Sequence, residues 1–379
     1  MFDKVNKPGS FRPYGKPVVN ITINGKPVKD WISFQVELNG LGAVDSYEVQ
    51  LPWEVTDTPS DPLLYSGSSK SADLVFGSAK IRIEAGFEGE GKPELLIEGD
   101  MDYPTWNFDA NEGEVVTIHG RSYAARAFDF KETLKWQNLT STAAFKQIAA
   151  THGLTPVVPV ETKDPVGEYV KDDHANINRE VSHWDAALYL AQNDGFTTRV
   201  RGIEWFYGPR EMLPNYNKDP LPFTWGHNIE SGFWIERAPN AARNLIVEVI
   251  SYIPGGVKKR GSGQKKGQRI VERASFTGSS TGHKYIQRYY YPGITRDEAQ
   301  RRARNILKEL SRQQVYGSFT TDYFPELATD RRIVLYGVGK GLSQVYFVSK
   351  IVVTGNRDEG LKAEVTFTNL PLEEGGRFG

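Results

Sequence analysis

The stretch from residue 80 to residue 122 constrains the fold of this chain more than any other, because it reads as three consecutive half-buried strands. The apolar positions of the three runs are Ile81 and Ile83, Leu95 to Ile97, and Val115 to Ile118. Alternation of apolar and polar residues is typical of strands with one face on a core. Turns containing Gly89, Gly91 and Gly113 separate the runs, and glycine tolerates the positive φ that tight hairpins require. The segment predicts an antiparallel meander.

The same order of features returns in residues 331–370. A strand runs into Gly337, a second strand follows, an acidic turn ends at Gly360, and a β-branched strand closes the segment. The closest local match is between GEVVTIHG and KAEVTFTN. We interpret the two segments as a duplicated β-unit and expect them to superpose strand for strand. The alternative is that two unrelated meanders share this pattern, because meanders are common.

Composition excludes several classes of protein. The 379 residues predict two to four domains, and the net charge of −1 provides no global basic field for nucleic acid. The absence of cysteine excludes disulfides, thiolate metal sites and cysteine nucleophiles. The N-terminus lacks the apolar core of a signal peptide, and no run of about 18 apolar residues predicts insertion into a membrane.

The changes of pattern along the chain predict five segments and an α+β, mostly β, fold class. The segments are an N-terminal arm (1–17), a first β-domain (18–122), a small α+β middle domain (123–232), a second β-domain with an inserted helix at 295–314 (233–370), and a C-terminal tail (371–379). Residues 54–78, rich in proline, serine, aspartate and glycine, are predicted to form a long loop within the first β-domain.

Three helices are predicted from helical periodicity and from their capping residues. The first spans 139–154, with Thr140 or Ser141 as its N-cap. The second begins at Ser182, which forms a capping box with Asp185. The third, at 295–314, has an equivalent box of Thr295 and Glu298 above an apolar stripe. Asn24-Gly25 predicts a tight hairpin near the start of the chain.

No constellation of catalytic or metal-binding residues stands out. The six histidines, His119, His152, His174, His183, His227 and His283, include no close pair and no HExxH motif. Asp172-Asp173-His174 reads as a solvated face rather than a ligand cluster. Glu94, Glu98, Asp100 and Asp102 are close enough in sequence to be considered for acid–base work, but sequence cannot show their separation across a cleft. We therefore predict no catalytic residue, no metal and no cofactor.

Two other features carry a binding hypothesis. The aromatic residues Tyr285, Tyr289, Tyr290, Tyr291, Trp205, Phe206 and Tyr207 either stack on sugars or pack in a core or subunit interface, and strand-like surroundings favour packing. The second feature is a basic insert at residues 257–269, and its candidate contact residues are Lys258, Lys259, Arg260, Lys265 and Lys266. A local cluster of positive charge in a protein with almost no net charge favours a loop that faces a partner protein over a loop that binds DNA.

A strand reaching IEGDMDY, then VVTIHGRS, then a TSTAAFKQIA helix ending at glycine resembles the late control protein D family of phage baseplate hubs. That family is related to the hub part of type VI secretion spike proteins. The second half agrees, since a helix like 295–314 precedes GSFTTDYF and RRIVLYG. The resemblance covers roughly residues 18–370. The chain departs from the family in its basic insert and in Gly120-Arg121-Ser122, where the family usually ends the strand with Gly-Asp.

The resemblance implies two similar tube-type antiparallel β-barrels flanking the middle domain, and a structural rather than enzymatic role. It also implies a homotrimer in the virion, assembled in the host bacterial cytoplasm, that adapts the hexameric tail tube to the trimeric central spike. The tape measure protein and other baseplate subunits are further candidate partners. The alternative is a tail-associated cell-wall hydrolase or glycan-binding tail-tip protein. A zymogram on host cell wall discriminates between the two.

Overall fold

A computed structural model describes most of the chain. It covers residues 15–40, 42–52, 79–109, 113–134, 136, 139–163, 180–229, 231–237, 245–253, 267–275, 285–311, 315–356 and 360–369. Residues 1–14 of the predicted arm, the loop at 54–78, the C-terminal tail and most of the basic insert lie outside these ranges, and the arm ends one residue earlier than predicted because β1 begins at Pro17.

Strands predominate among the elements within these ranges. The strands of the first β-unit are β1 (Pro17–Ile23), β2 (Lys26–Pro27), β3 (Ser33–Asn39), β4 (Ser46–Pro52), β5 (Lys80–Phe87), β6 (Glu94–Asp109) and β7 (Gly113–Ser122). The middle of the chain contains α1 (Ala124–Asp129), β8 (Lys131–Glu132), α2 (Ser141–Thr151), β9 (Thr155–Val157), β10 (Val181–Ser182), α3 (His183–Asp194), β11 (Thr197–Arg201) and β12 (Glu204–Gly208). The remaining elements are β13 (Leu221–Thr224), β14 (Ser231–Arg237), β15 (Leu245–Ile253), β16 (Gln268–Ser275), β17 (Tyr285–Tyr290), α4 (Arg296–Ser311), β18 (Val315–Asp322), β19 (Arg332–Tyr336), β20 (Val345–Asn356) and β21 (Gly360–Asn369).

Two β-units with the same strand order form the body of the protein. Apart from the short β2, the first unit runs β3-β4-β7-β6-β5-β1, and the second runs β14-β18-β21-β20-β19-β13. When each unit's strands are numbered in chain order, both orders are 2-3-6-5-4-1. The units differ at one edge, since β1 is antiparallel to β5 whereas β13 is parallel to β19. The predicted fold, mostly β with two similar antiparallel units flanking a small α+β unit, is confirmed.

A β-bulge fixes the residue-by-residue correspondence of the two units. In the first, the register of β6 on β7 shifts between Met101 and Tyr103. In the second, the register of β20 on β21 shifts between Val348 and Lys350. The N–H groups of Met101 and Val348 both turn away from these partners, toward the carbonyls of Ala79 and Arg331 at 2.9 and 3.4 Å. Bulges re-aim a strand and end its pairing on one side. Met101 therefore corresponds to Val348, and Tyr103 to Lys350.

One intrachain seam joins the two units into a continuous sheet. Beyond its bulge, β20 leaves β19 and pairs antiparallel with β3, from Lys350 opposite Asn39 to Asn356 opposite Ser33. Val36 and Val353 face each other across this seam and are fully buried in a core that both units share. Because apolar side chains from both units fill one core, the seam is stabilised by burial as well as by its hydrogen-bond ladder.

Aromatic rings lying over glycines show how the two units keep one backbone shape with different residues. Tyr47 in β4 pairs with Gly120 in β7, and a Cβ on Gly120 would lie 2.2 Å from the Tyr47 hydroxyl oxygen. At the corresponding pair the roles are exchanged, because Gly317 in β18 lies under the ring of Phe367 in β21. Each pair holds one ring and one glycine, so the space is filled equally although the residues differ.

The middle unit packs three helices against a small sheet. The strands β9, β12 and β11 form this sheet, and the rings of Phe145, Trp184 and Trp205 meet in a core of their own. Ser182 caps α3 by accepting the Asp185 N–H at 3.0 Å, and Gly195 ends it in the left-handed region. Thr140 caps α2. The predicted helices are confirmed, whereas the six-residue α1 has no counterpart among the predictions.

A second α+β unit is inserted between β14 and β18. Its strands β16, β15 and β17 form a separate three-stranded sheet, and α4 covers one face. The capping box predicted for this helix is present, since the Thr295 N–H donates to Glu298 Oε2 at 2.7 Å. On the other face Glu248 lies between Arg273 and Arg288, with N–O distances of 2.7 and 2.8 Å. The strands β15, β16 and β17 lie within the segment 233–370 that the sequence predicts as the second β-domain, but outside the 13-stranded sheet that joins the β-units.

The hairpin predicted at Asn24-Gly25 is also confirmed. Both residues have positive φ, of 50° and 78°, as a type I′ turn requires, and the turn joins β1 to β2. In the part of the chain described, none of the helices is both long and apolar enough to cross a membrane.

We expect Gly355→Ala to destabilise the protein by about 1–3 kcal/mol, because overpacking a filled core costs that much. A Cβ at Gly355 would lie 2.0 Å from the Phe34 ring across the seam, and that ring is buried. Urea unfolding measures the loss. Gly341→Ala is the matched control, since a Cβ there meets nothing within 4 Å. In a Phe34→Leu background the Gly355→Ala loss should shrink, and an unchanged loss would show that the ring is not the cause.

Candidate functional site

The most informative surface consists of the two strand edges that correspond to the intrachain seam. The intrachain seam joins β20 of the second unit to β3 of the first. The strand of the first unit that corresponds to β20 is β6, and the strand of the second unit that corresponds to β3 is β14. Each of these two strands therefore has an edge equivalent to one side of the seam. The first edge is the part of β6 beyond Asp100. Among the described residues, β7 pairs with one side of this part, and no strand pairs with the other side. The second is β14, which ends the strand order and pairs with β18 alone among the described strands.

Exposed aromatic side chains mark both edges. On β6, Tyr103 and Phe108 are 56% and 61% exposed. On β14, Trp234 is 44% exposed and packs edge-on against Tyr316 of β18, with ring centroids 5.1 Å apart. Large aromatic residues are enriched at protein interfaces, and an open apolar strand edge is a site at which other chains pair. These edges are therefore the best candidate for a contact surface.

A buried charged triad, Asp45, Arg199 and Asp330, lies where the three parts of the chain approach one another, and its direct ion pair joins the middle unit to the second β-unit. Asp45 precedes β4 in the first unit, Arg199 belongs to β11 in the middle unit, and Asp330 precedes β19 in the second unit. Arg199 contacts Asp330 at 3.1 Å, and Asn215 donates to Asp330 through both its backbone N–H and its side-chain amide. Burial alone would raise the pKa of Asp330, but Arg199 and Asn215 hold it below its ordinary value.

The second carboxyl of the triad behaves differently. Burial raises the pKa of Asp45 to about 7, against the opposing effects of Arg199 and of the Asn39 N–H, which donates to Asp45 at 2.7 Å. Arg199 thus acts on both buried carboxyls, by direct contact with Asp330 and by its charge alone on Asp45. A cleft of about 360 Å³ opens beside the triad. It is lined by charged residues that include Arg201 and Arg331, which bond respectively to Glu94 and to the carbonyls of Asp219 and Glu326.

Comparison with known proteins gives a result at the level of the fold. No protein-family model and no curated protein sequence matches the chain. Solved structures do match. A tail protein from Neisseria meningitidis has a TM-score of 0.67 and 15% identity, covering 93% of this chain and 96% of its own. A 43 kDa tail protein of prophage MuSo2 from Shewanella oneidensis has a TM-score of 0.66 and 12% identity, covering 93% and 98%.

The chain has the fold of a phage tail protein. An Escherichia coli component of the type VI secretion system has the same fold at a TM-score of 0.52 and 11% identity, over 95% of this chain and 79% of its own. That protein is itself described as similar to tail proteins of bacteriophage T4. The resemblance found from sequence, to phage hub proteins and type VI secretion spike proteins, is thus confirmed for the fold.

Within this tail-protein fold, the carboxylates that were considered for general acid–base catalysis form ion pairs that connect neighbouring elements. Arginines bind each of them, and the pairs are Glu98 with Arg82, Asp100 with Arg126, Asp102 with Arg121, and Glu94 with Arg201. Bonds to Asp102 and Asp129 raise the pKa of Arg121 above its ordinary value. Since Arg126 belongs to α1, the pairs attach the middle unit to β6.

Two of the histidines, His152 and His183, form a hydrogen-bonded cluster with Glu132 that the sequence did not indicate. His152 Nε2 lies 2.7 Å from His183 Nδ1, and His183 Nε2 lies 2.6 Å from Glu132 Oε1. Burial, with a smaller effect of His183, lowers the pKa of His152 to about 4. In the described ranges no three histidine, aspartate or glutamate side chains come together as a metal site would require. His119 lies in β7 and stacks on Tyr103.

The candidate aromatic residues divide into two groups. Trp205 and Tyr207 are fully buried, and Tyr289 and Tyr291 pack under α4, as predicted. Tyr285 and Tyr290 are 57% and 69% exposed and do not pack in a core of this chain, so packing in a subunit interface stays a prediction for them.

Several other predicted positions lie outside the described residues. They are Asp172, Asp173, His174, His283 and the whole candidate contact set Lys258, Lys259, Arg260, Lys265 and Lys266. The role of the basic insert therefore stays a prediction.

We expect Asp45→Asn to gain stability relative to the unaltered protein as pH rises from about 4 to about 7. Because the folded pKa of Asp45 is raised to about 7, the folded state holds a proton in this window that the unfolded state has released. The unaltered protein therefore loses stability as pH rises through the window, and asparagine cannot ionise. Urea unfolding at pH 5 and pH 8 measures the difference, with Asp219→Asn, an exposed position, as matched control. An equal effect of Asp45→Asn at both pH values would contradict the raised pKa of Asp45.

Proposed function

We propose that the chain is a structural subunit of a bacteriophage tail baseplate, a homotrimeric hub that adapts the hexameric tail tube to the trimeric central spike. The proposed location is the virion, after assembly in the host bacterial cytoplasm. Solved structures with the same fold include phage tail proteins and a type VI secretion component, which supports a role in a tail or an injection device.

The observation that carries the proposal is the shared strand order of the two β-units. A threefold object that seats a sixfold tube must offer six near-equivalent surfaces, because every interface in a closed ring repeats identically. A chain with two copies of one β-unit meets this requirement with three chains. Strand order and bulge position are retained in the copies, whereas residues such as Tyr47 and Gly317 differ at corresponding positions. Seating a neighbouring ring requires the shared backbone shape more than shared side chains.

The proposed partners are those that the resemblance to baseplate hubs implies. The hexameric tail tube protein would sit on one side of the ring and the central spike protein on the other. The tape measure protein and other baseplate subunits are further proposed contacts, and the basic insert would face one of them. No membrane insertion and no specific nucleic-acid binding belong to the proposal.

The proposed role is non-enzymatic. The candidate carboxylates of β6 are each bound by an arginine. These pairs connect β6 to β5, to β7 and to α1, so a structural role accounts for them. The hydrolase or glycan-binding alternative gains no specific support from the described residues.

Native mass spectrometry of the full chain, alone and mixed with the cognate spike protein, tests the proposal. We expect a species that contains three copies of the chain, at least in the mixture, where it would also carry the spike, because the proposed spike has threefold symmetry. A chain that stays monomeric in both samples, or that forms a stable dimer or tetramer, would contradict the hub.

A further inference from the structure

We infer that β14 of one chain adds to the open side of β6 of the next chain, as an antiparallel strand with Thr105 opposite Glu236 and Asn107 opposite Trp234. This interchain seam rests on the proposed homotrimer and assigns its contact edges and their register. This interchain seam is equivalent to the intrachain seam that β20 and β3 form.

The first step is the correspondence of β6 with β20. The bulges equate Met101 with Val348 and Tyr103 with Lys350. Counting on from the bulge equates Thr105 with Val352 and Asn107 with Thr354. The partner strands agree, since Tyr103 lies opposite His119 in β7 and Lys350 lies opposite Thr366 in β21.

The second step is the correspondence of β14 with β3, and it follows through the neighbouring strands. Gln35 pairs with Glu48, which pairs with His119. In the second unit Trp234 pairs with Ser318, which pairs with Thr366. Since His119 and Thr366 correspond, Trp234 corresponds to Gln35. Counting along the strands then equates Ile235 with Val36, and Glu236 with Glu37.

The third step transfers the register of the intrachain seam. In that seam Val352 lies opposite Glu37, and Thr354 opposite Gln35. Replacing each residue by its counterpart places Thr105 opposite Glu236 and Asn107 opposite Trp234. Between these pairs, Trp106 falls opposite Ile235, where the intrachain seam has Val353 opposite Val36.

Side-chain chemistry agrees with this register on both faces of the sheet. Trp106 and Ile235 are partly buried and pack against the shared core, as an inward-facing apolar pair should. Thr105, Asn107 and Glu236 are exposed on the opposite face. The counterpart of Gly355 is Phe108, so Phe108 falls opposite Phe233, and two rings meet where the intrachain seam has one ring over a glycine.

Pro104 removes one hydrogen bond from the proposed seam. It corresponds to Ile351 and has no N–H, so it costs the ladder with β7 nothing only where its nitrogen faces the open side of β6. Met101 directs its N–H away from β7. Backbone N–H groups along a strand point alternately to its two sides, and the bulge after Met101 shifts this alternation by one residue. The nitrogen of Pro104 therefore also faces the open side of β6. The pair of Pro104 with Arg237 would then lack one hydrogen bond, which places the strongest part of the ladder at Trp106 and Phe108.

Repetition of the seam closes the sheet. Within one chain the strands run β14-β18-β21-β20-β3-β4-β7-β6, and the next strand would be β14 of the neighbouring chain. In a ring of three chains, three intrachain seams alternate with three interchain seams. The edges of β14 and β6 are then both covered, which removes the liability of open apolar strand edges.

Cysteine cross-linking tests the register, and the chain contains no cysteine of its own. In the full-length protein, the pairs Thr105→Cys with Glu236→Cys, and Asn107→Cys with Trp234→Cys, are oxidised and separated on a non-reducing gel. Directly opposed residues have Cβ atoms about 4.5–5.5 Å apart and diagonal ones about 7–8 Å. A disulfide requires about 3.5–4.5 Å. We expect covalent dimers and trimers that reductant dissociates.

The same four positions supply the matched controls. The exchanged pairs, Thr105→Cys with Trp234→Cys and Asn107→Cys with Glu236→Cys, are diagonal in this register and should give no more interchain product than single-cysteine variants. Gln35→Cys with Thr354→Cys calibrates the chemistry, because these residues oppose each other in the intrachain seam and should form a disulfide within one chain. Unaltered melting temperatures of the reduced variants show that each remains folded.

The outcomes separate this seam from the proposed function. Cross-linking of the exchanged pairs instead of the matched pairs overturns the register. A native trimer without interchain disulfides overturns the seam and leaves the hub intact. A chain that is monomeric with and without spike protein, and that forms no interchain disulfide, overturns both.

Discussion

The antiparallel pairing of β20 with β3 is the interaction on which the rest of the structure depends. Seven residue pairs join strands that are about 300 positions apart in the sequence, and they place the two β-units side by side over one core. A core shared in this way means that neither unit presents a complete hydrophobic interior alone. Burial of Val36, Ile351 and Val353 at the seam therefore ties the stability of one unit to that of the other.

Charged groups position the middle unit on this sheet. Arg199 connects the middle unit to Asp330 beside the second β-unit, and Arg126 connects α1 to Asp100 in β6. Breaking a buried pair leaves an uncompensated charge, which is costly in a low-dielectric interior. The arginine contacts thus hold the middle unit on the β-units, while none of the described strands covers the edges at β6 and β14.

Local signals explain which parts of the fold the sequence could predict. The strands of 80–122 and 331–370 follow from alternation, and the starts of α3 and α4 follow from Ser182 with Asp185 and from Thr295 with Glu298. The duplication was visible as element order alone, since corresponding residues such as Tyr47 and Gly317 differ. The six residues of α1 are too few to show helical periodicity.

The candidate site could not be predicted, because it is made of long-range pairings. Nothing local distinguishes β3 and β14 from other alternating strands, so neither the intrachain seam nor its counterpart edges have a sequence signature. Asp45, Arg199 and Asp330 are isolated charged residues until the fold brings them together. The separate sheet of β15, β16 and β17 was missed for a similar reason: β-strand patterns do not reveal to which sheet a strand belongs.

Electron microscopy of the assembled particle, viewed in projection along its axis, tests the central claim most directly. If the two β-units are equivalent parts of one ring, projections should show six similar lobes, and adjacent lobes should be related by a rotation of about 60°. Residues 80–122 and 331–370 should then lie at the same height along the axis. A ring of three lobes, or one in which the two segments lie at different heights, would contradict both the equivalence and the adaptor role.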